Sequence, residues 1–308
     1  MKDDFFVLSE DIAAFGNYPG SRSIEELLHN GIIILDKWCG PTSHEVSATV
    51  KKILERKKTA HAGTLDPQVS GVLPIMLENA CKVMPALQKQ EKEYVGVMHL
   101  HKEVNDKELS DIVKKFIGVI TQKPPVRSAV ARKERKRTIK KFEILERNEK
   151  DVLFLVSCEA GTYIRKLVDD LGKQIGGAHM TELRRTRSGI FNEQKSHRIQ
   201  DIADAFFFWK ESKDEKIRDF LLPVEASIEN TKKIIVKDSA VKSLLNGSPL
   251  YNGGISRIEK TIRKDDLIAL LTLKGELIAL AKANIDFNER TIKRKQLVAK
   301  TDRVIMSL

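Results

Sequence analysis

The run DVLFLVSCEAGTYIRKLVDDLGKQIGG at 151–177 constrains the fold more than any other stretch of the chain. Its first part is apolar and β-branched enough for a buried strand. Beyond Gly161, residues Ile164, Leu167, Val168, Leu171 and Ile175 recur with helical spacing on one apolar face. Thr162 stands near the start of that helix and Gly176 just after its end. The chain therefore mixes strand and helix. Gly161, Thr162, Tyr163 and Arg165 sit at the junction, where side chains can project from the end of a sheet.

The rest of the pattern agrees. Residues 22–30 read as a short amphipathic helix, and GIIILD at 31–36 as a buried strand entering a Gly-Pro turn. SHEVSATVKKILE at 43–55 reads as a helix with Ser43 as its N-cap and Glu45 in the first turn. VLPIMLENACKVMPALQ, after Asp66, reads as a buried helix broken by prolines, EYVGVMHL as a strand, and 106–118 as another helix. WKESKDEKIRDF at 209–220 is expected to be a charged surface stretch. A length of 308 residues suits about two domains, and a boundary is placed near 224–231. Beyond it, short strands alternate with Gly turns and one short helix, which predicts a small, mostly β domain.

Lys and Arg number 54 against 43 Asp and Glu, a net charge of +11, which favours a polyanionic partner and nucleic acid first. The densest basic run is RKERKRTIKK at 132–141, with Arg132, Lys133, Arg135, Lys136 and Arg137 as candidate RNA contacts. No apolar run is long enough to span a membrane, and the start MKDDFFVLSE is unlike a signal peptide, so a cytoplasmic protein is expected. Cys39, Cys81 and Cys158 are isolated, which predicts buried free thiols and no zinc site.

HAGTLDPQVSG at 61–71 places one carboxylate, Asp66, before a proline. By itself this is an ordinary turn signal. Four stretches taken in order say more: LDKWCGPTSHEV, HAGTLDPQVSGVLP, KEYVGVMHLH and CEAGTYIRKLVDDLG. Together with SRSIEELLHNGIIILDK, PPVRSAVARKERKR, ELRRTRSGIF and KDSAVKSLLNGSPL, they resemble the TruB and dyskerin family of RNA pseudouridine synthases. The likeness is greatest to the archaeal dyskerin homologues, catalytic subunits of H/ACA ribonucleoproteins. Two positions depart from the family pattern: Lys37-Trp38 stands for the usual Lys-Pro, and Ala60 for a Gly before the His.

The resemblance implies an α/β (α+β) catalytic core, a mixed and mostly antiparallel sheet flanked by helices, over residues 31–223. It implies a C-terminal β pseudobarrel, the RNA-binding PUA domain, over 231–308, with 1–30 as an N-terminal extension packed on it. It implies isomerisation of uridine to pseudouridine without cofactor or metal. Asp66 would be the nucleophile, acting at C1′ or on the C2′ proton. Arg165 would hold it ionised, and Tyr94 would stack on the base and help remove the C5 proton. His61, Tyr163, Leu183 and Lys37 would bind substrate, Lys37 chiefly as structural support. Implied partners are tRNA, H/ACA guide RNA and rRNA, with small Nop-type and Gar-type proteins and a kink-turn binder; the chain alone is expected to be a monomer. The competing readings are a stand-alone tRNA synthase and a non-catalytic ribosome-assembly scaffold. Asp66, Tyr94 and Arg165 together argue against the scaffold, which has no physical need of them.

Overall fold

The computed structural model describes residues 4–123, 133–288 and 295–307. In chain order the strands of the first half are β1 (Phe5–Val7), β2 (Gly31–Lys37), β3 (Thr59–His61), β4 (Ser70–Leu77), β5 (Lys92–Leu100), β6 (Gly118–Gln122), β7 (Arg135–Asn148) and β8 (Asp151–Cys158). The remainder are β9 (Ala178–Ser188), β10 (Phe191–Asn192), β11 (Leu222–Pro223), β12 (Lys232–Val236), β13 (Leu250–Tyr251), β14 (Ile255–Glu259), β15 (Leu267–Leu271), β16 (Leu277–Ala283) and β17 (Leu297–Val304). The helices are α1 (Ile24–Asn30), α2 (Ser43–Ile53), α3 (Met84–Gln88), α4 (Asp106–Lys115), α5 (Ile164–Gly172), α6 (Ile199–Ser212) and α7 (Asp238–Leu245).

The first sheet runs β11-β2-β4-β9-β5-β8-β7-β6. Its neighbours are antiparallel except at one short parallel contact, where Ser70 and Gly71 of β4 meet Arg184 and Arg185 of β9. That contact joins two antiparallel blocks. It is unusually close: Gly71 has φ +105°, and a Cβ there would lie 2.2 Å from the Arg185 carbonyl oxygen, so only glycine fits. The loop that carries Asp66 feeds directly into this contact.

Several sequence expectations change. Residues 70–77 form a central strand, not a helix. An apolar run of this length buried on both faces carries no period to tell the two apart. Pro74 is tolerated because Ala62 N–H donates to its carbonyl just past the end of β3, where a single ladder bond is lost. The cap of α2 is Thr42, which forms a capping box with Glu45, while Ser43 points inward. The 209–220 stretch is the end of α6 and a 3-10 turn that buries Ile217 and Phe220. Cys39 is exposed, unlike Cys81 and Cys158. No helix among the described residues is long and apolar enough to cross a membrane.

The second sheet runs β1-β14-β12-β15-β16-β17-β13, with only β12 and β15 parallel. Register shifts in four of its pairings bend it towards a closed barrel. The two sheets share one apolar cluster: Ile32, Ile34, Met76 and Val224 pack with Ala269, Leu271, Leu277, Leu280 and Ile305. The N-terminal segment closes over the junction. Ala14 and Phe15 donate N–H to Asp238, Asn17 donates to Glu276, and Lys274 donates to the Gly16 carbonyl. Arg22, only 4% exposed, pairs with Glu225 at 2.5 Å and with Glu276 at 3.1 Å. Removing one member of such a network leaves buried charge uncompensated. Arg22→Met is therefore expected to cost about 3–5 kcal/mol, read as a lower midpoint in urea unfolding.

Candidate active site

The Asp66 loop is held from beneath. Lys37 ends β2 fully buried, and its Nζ donates to the carbonyls of Trp38 (2.9 Å), Asp66 (3.3 Å), Pro67 (3.1 Å) and Val69 (2.9 Å). Ser43 Oγ accepts from Leu65 N–H at 2.8 Å and donates to the Leu65 carbonyl at 2.9 Å. Leu65 and Val69 are buried on either side of the acid. With the backbone tied at these points, the Asp66 side chain projects outward, 55% exposed. Lys37, expected chiefly as support, has its ammonium enclosed and already bonded to protein carbonyls.

Arg165 lies in the first turn of α5, where the helix dipole disfavours a cation, so its place there is not explained by helix stability. Its Nη2 meets Asp66 Oδ2 at 2.9 Å, a charge-assisted pair open to solvent on both sides. The turn before it is fixed by Gln122, buried on β6. Gln122 donates to the Tyr163 carbonyl at 3.1 Å and accepts from Tyr163 N–H at 3.0 Å. One side-chain amide thus clamps the backbone that carries both Tyr163 and Arg165.

Tyr94 on β5 is buried and stands in register with Arg185 on β9. Burial pushes its phenol up from the ordinary value, and the nearby Arg185 guanidinium opposes that shift. Tyr94 is therefore a neutral phenol at neutral pH. Leu183, two residues before Arg185 and on the same face of β9, is also buried and crosses Gly96 of β5. His61 ends β3 with its Nδ1 buried and without a hydrogen-bond partner. Burial, then Arg185 and His44, hold it below the usual histidine range, so its ring is neutral at neutral pH.

Arg185 was not singled out in the sequence. It is 1% exposed and donates to the carbonyls of Val72 (2.8 Å) and Gly63 (3.0 Å), spanning Tyr94 and the Asp66 loop. In RRTR it reads as one more basic residue; strand alternation with Leu183 is the signal that turns it inward. Lys92 was missed as well. It is 4% exposed, donates to the carbonyls of Leu87 and Gln90, and is pushed down to about 8 by burial first and then by Arg185. Lys37, Lys92 and Arg185 together make the floor of the site electropositive.

Of the basic run, Lys133 precedes β7, and Arg135, Lys136 and Arg137 pair with β6. Arg137 lies over Gly161, whose φ of +80° and missing side chain make room for it. Part of the run thus reaches the turn that presents Tyr163 and Arg165. Arg132 lies outside the described residues.

An ion-paired aspartate near a buried tyrosine, on a mixed sheet joined to a second sheet bent towards a barrel, is the arrangement that the resemblance to RNA pseudouridine synthases implies. Residues 51–164 match the TruB family pseudouridylate synthase N-terminal domain, and 165–229 the tRNA pseudouridylate synthase B C-terminal domain. Residues 232–305 match the PUA domain and 9–47 the DKCLD domain. The chain is 44% identical to a probable tRNA pseudouridine synthase B of Archaeoglobus fulgidus, covering 99% of this chain and 96% of that protein. It is 45% identical to the protein of that description in Methanocaldococcus jannaschii, over 95% and 88%. Among solved structures, a Cbf5-Nop10-Gar1 complex contains a chain similar at TM-score 0.93 and 44% identity, covering 98% of this chain and 94% of that one. An H/ACA RNP bound to a substrate RNA containing 2′-deoxyuridine contains another, at TM-score 0.90 and 42% identity, over 98% and 94%. The chain belongs to the TruB family of pseudouridylate synthases. It is an isomerase that converts uridine in RNA to pseudouridine.

Two measurements test the floor of the site. Lys37→Met leaves four carbonyls without their donor, and is expected to lower stability by about 3 kcal/mol. Loosening of the loop should lower kcat roughly 100-fold. The folded pKa of Lys92 lies below its unfolded value of 10.5. Between pH 8 and that value the unfolded chain binds more protons, so this group's contribution to stability rises with pH. Lys92→Met should remove that rise, seen as a wild-type-minus-variant difference in urea midpoint that changes between pH 7.5 and pH 10.

Proposed function

We propose that this chain is the catalytic subunit of an H/ACA particle, modifying uridines in ribosomal RNA chosen by a guide RNA, and that it also modifies the TΨC-arm uridine (position 55) of tRNA without a guide. The observation that carries the reading is the Asp66–Arg165 pair at 2.9 Å beside buried Tyr94, in a chain similar over nearly its whole length to one found with Nop10 and Gar1. Small Nop-type and Gar-type proteins and a kink-turn binder are the partners proposed, and the cytoplasm the compartment.

In the reaction the C1′–N1 bond breaks and a C1′–C5 bond forms, while C5 loses a proton and N1 gains one. Asp66 acts at the ribose, by attack on C1′ or by taking the C2′ proton, with Arg165 keeping its carboxylate charged as RNA displaces water. The uracil carries negative charge once detached, and Arg185 and Lys92 supply a positive potential beneath it. Tyr94 stacks on the flipped base, and Leu183 and Tyr163 line its pocket, keeping water from the sugar until the base rejoins. Neutral His61 positions the flipped nucleotide, and Arg135, Lys136 and Arg137 meet backbone phosphates.

The test incubates the protein with unmodified tRNA, and separately with guide RNA, target and accessory proteins, and measures pseudouridine. Asp66→Asn should abolish product in both while RNA binding persists. Product formed by that variant would overturn the role of Asp66, and product in neither assay with wild type would overturn the substrate assignment.

A further inference from the structure

Trp38 is the first residue after β2 and is 41% exposed, although its neighbour Lys37 is wholly buried. The other tryptophan, Trp209, packs on Phe206 at 5.6 Å with Lys213 over its ring at 5.7 Å. Trp38 instead stands at the rim of the Asp66 loop on a rigid ledge. The Lys37 ammonium that holds the Asp66 carbonyl at 3.3 Å also holds the Trp38 carbonyl at 2.9 Å. Gly40 N–H donates to the Pro67 carbonyl at 2.9 Å, and Cys39 Sγ lies 3.3 Å from the Gln68 carbonyl. The segment from Trp38 to Gly40 is thus tied to the segment from Asp66 to Gln68, which begins at the candidate nucleophile.

An exposed indole on a segment tied to the Asp66 loop, which carries the exposed Asp66–Arg165 pair, suits a ligand that combines flat apolar faces with charge. A nucleotide has both. When the target uridine leaves its helix, the adjacent base loses a stacking partner and exposes one face. We propose that Trp38 is a stacking platform for the RNA base next to the flipped uridine, distinct from Tyr94, which takes the uracil itself. The inference rests on the reading of Asp66 as the group that acts on the ribose. Stacking on an aromatic side chain tolerates any base, so Trp38 adds affinity and holds the RNA in register without reading sequence.

The experiment uses the full chain and an RNA stem-loop carrying the target uridine, with guide and accessory proteins added if the stem-loop alone is not converted. Trp38→Ala is expected to raise KM roughly tenfold with kcat little changed, and Trp38→Phe to restore most of the loss. Replacing the base beside the target with an abasic residue should erase the difference between wild type and Trp38→Ala. In a Trp209→Phe background the remaining emission reports Trp38 alone, and the RNA should quench it. An unchanged KM in Trp38→Ala, or emission that responds to the accessory proteins but not to RNA, overturns the platform. If wild type forms no pseudouridine at all, the functional reading fails and the fluorescence titration decides the platform by itself.

Discussion

The position of the Asp66 carboxylate depends on one buried ammonium. Lys37 gathers four backbone carbonyls around its Nζ, and three of them belong to the short segment that carries Asp66. Carbonyls converging on one point repel one another unless a cation sits between them. In water such a loop would sample many shapes; with the charge enclosed and its bonds made, one shape is favoured. Ser43, next to the cap of α2, repeats the device on the other side of Leu65. The acid can stand open to solvent because everything under it is closed.

The electrostatics divide by depth. At the surface, Asp66 and Arg165 form an exposed pair that contributes little to stability in water but strengthens once RNA excludes solvent. Beneath them, Lys37, Lys92 and Arg185 are countered by carbonyl dipoles instead of carboxylates. Their charge is therefore not cancelled locally. Tyr94 and His61, both neutral at neutral pH, lie near Arg185.

The alternation of strand and helix, the strand-turn-helix at 151–177 and the β character of the tail were legible because their periods differ and glycines mark their ends. The strand at 70–77 was not, since burial on both faces removes the period. Asp66 with Arg165 was legible only through the resemblance; no local pattern joins residues so distant in sequence. Arg185, Lys92 and Gln122 were hidden for a physical reason. Each is a polar residue turned inward, and its partners are backbone atoms of segments distant in the chain, which no side-chain pattern records. Lys37, read from the resemblance chiefly as support, lies enclosed with its ammonium among four backbone carbonyls.

The shared cluster between the two sheets has a thermodynamic meaning. Two domains joined by a loose linker would unfold independently, and damage to one would leave the other intact. Here Ile32 and Ile34, on the strand that ends at Lys37, are covered by Leu271, Leu277 and Ile305. The chain should melt as one cooperative unit. A substitution deep in the C-terminal sheet, far from any reacting atom, then lowers activity by emptying the folded population, and distance from Asp66 is no measure of its harmlessness.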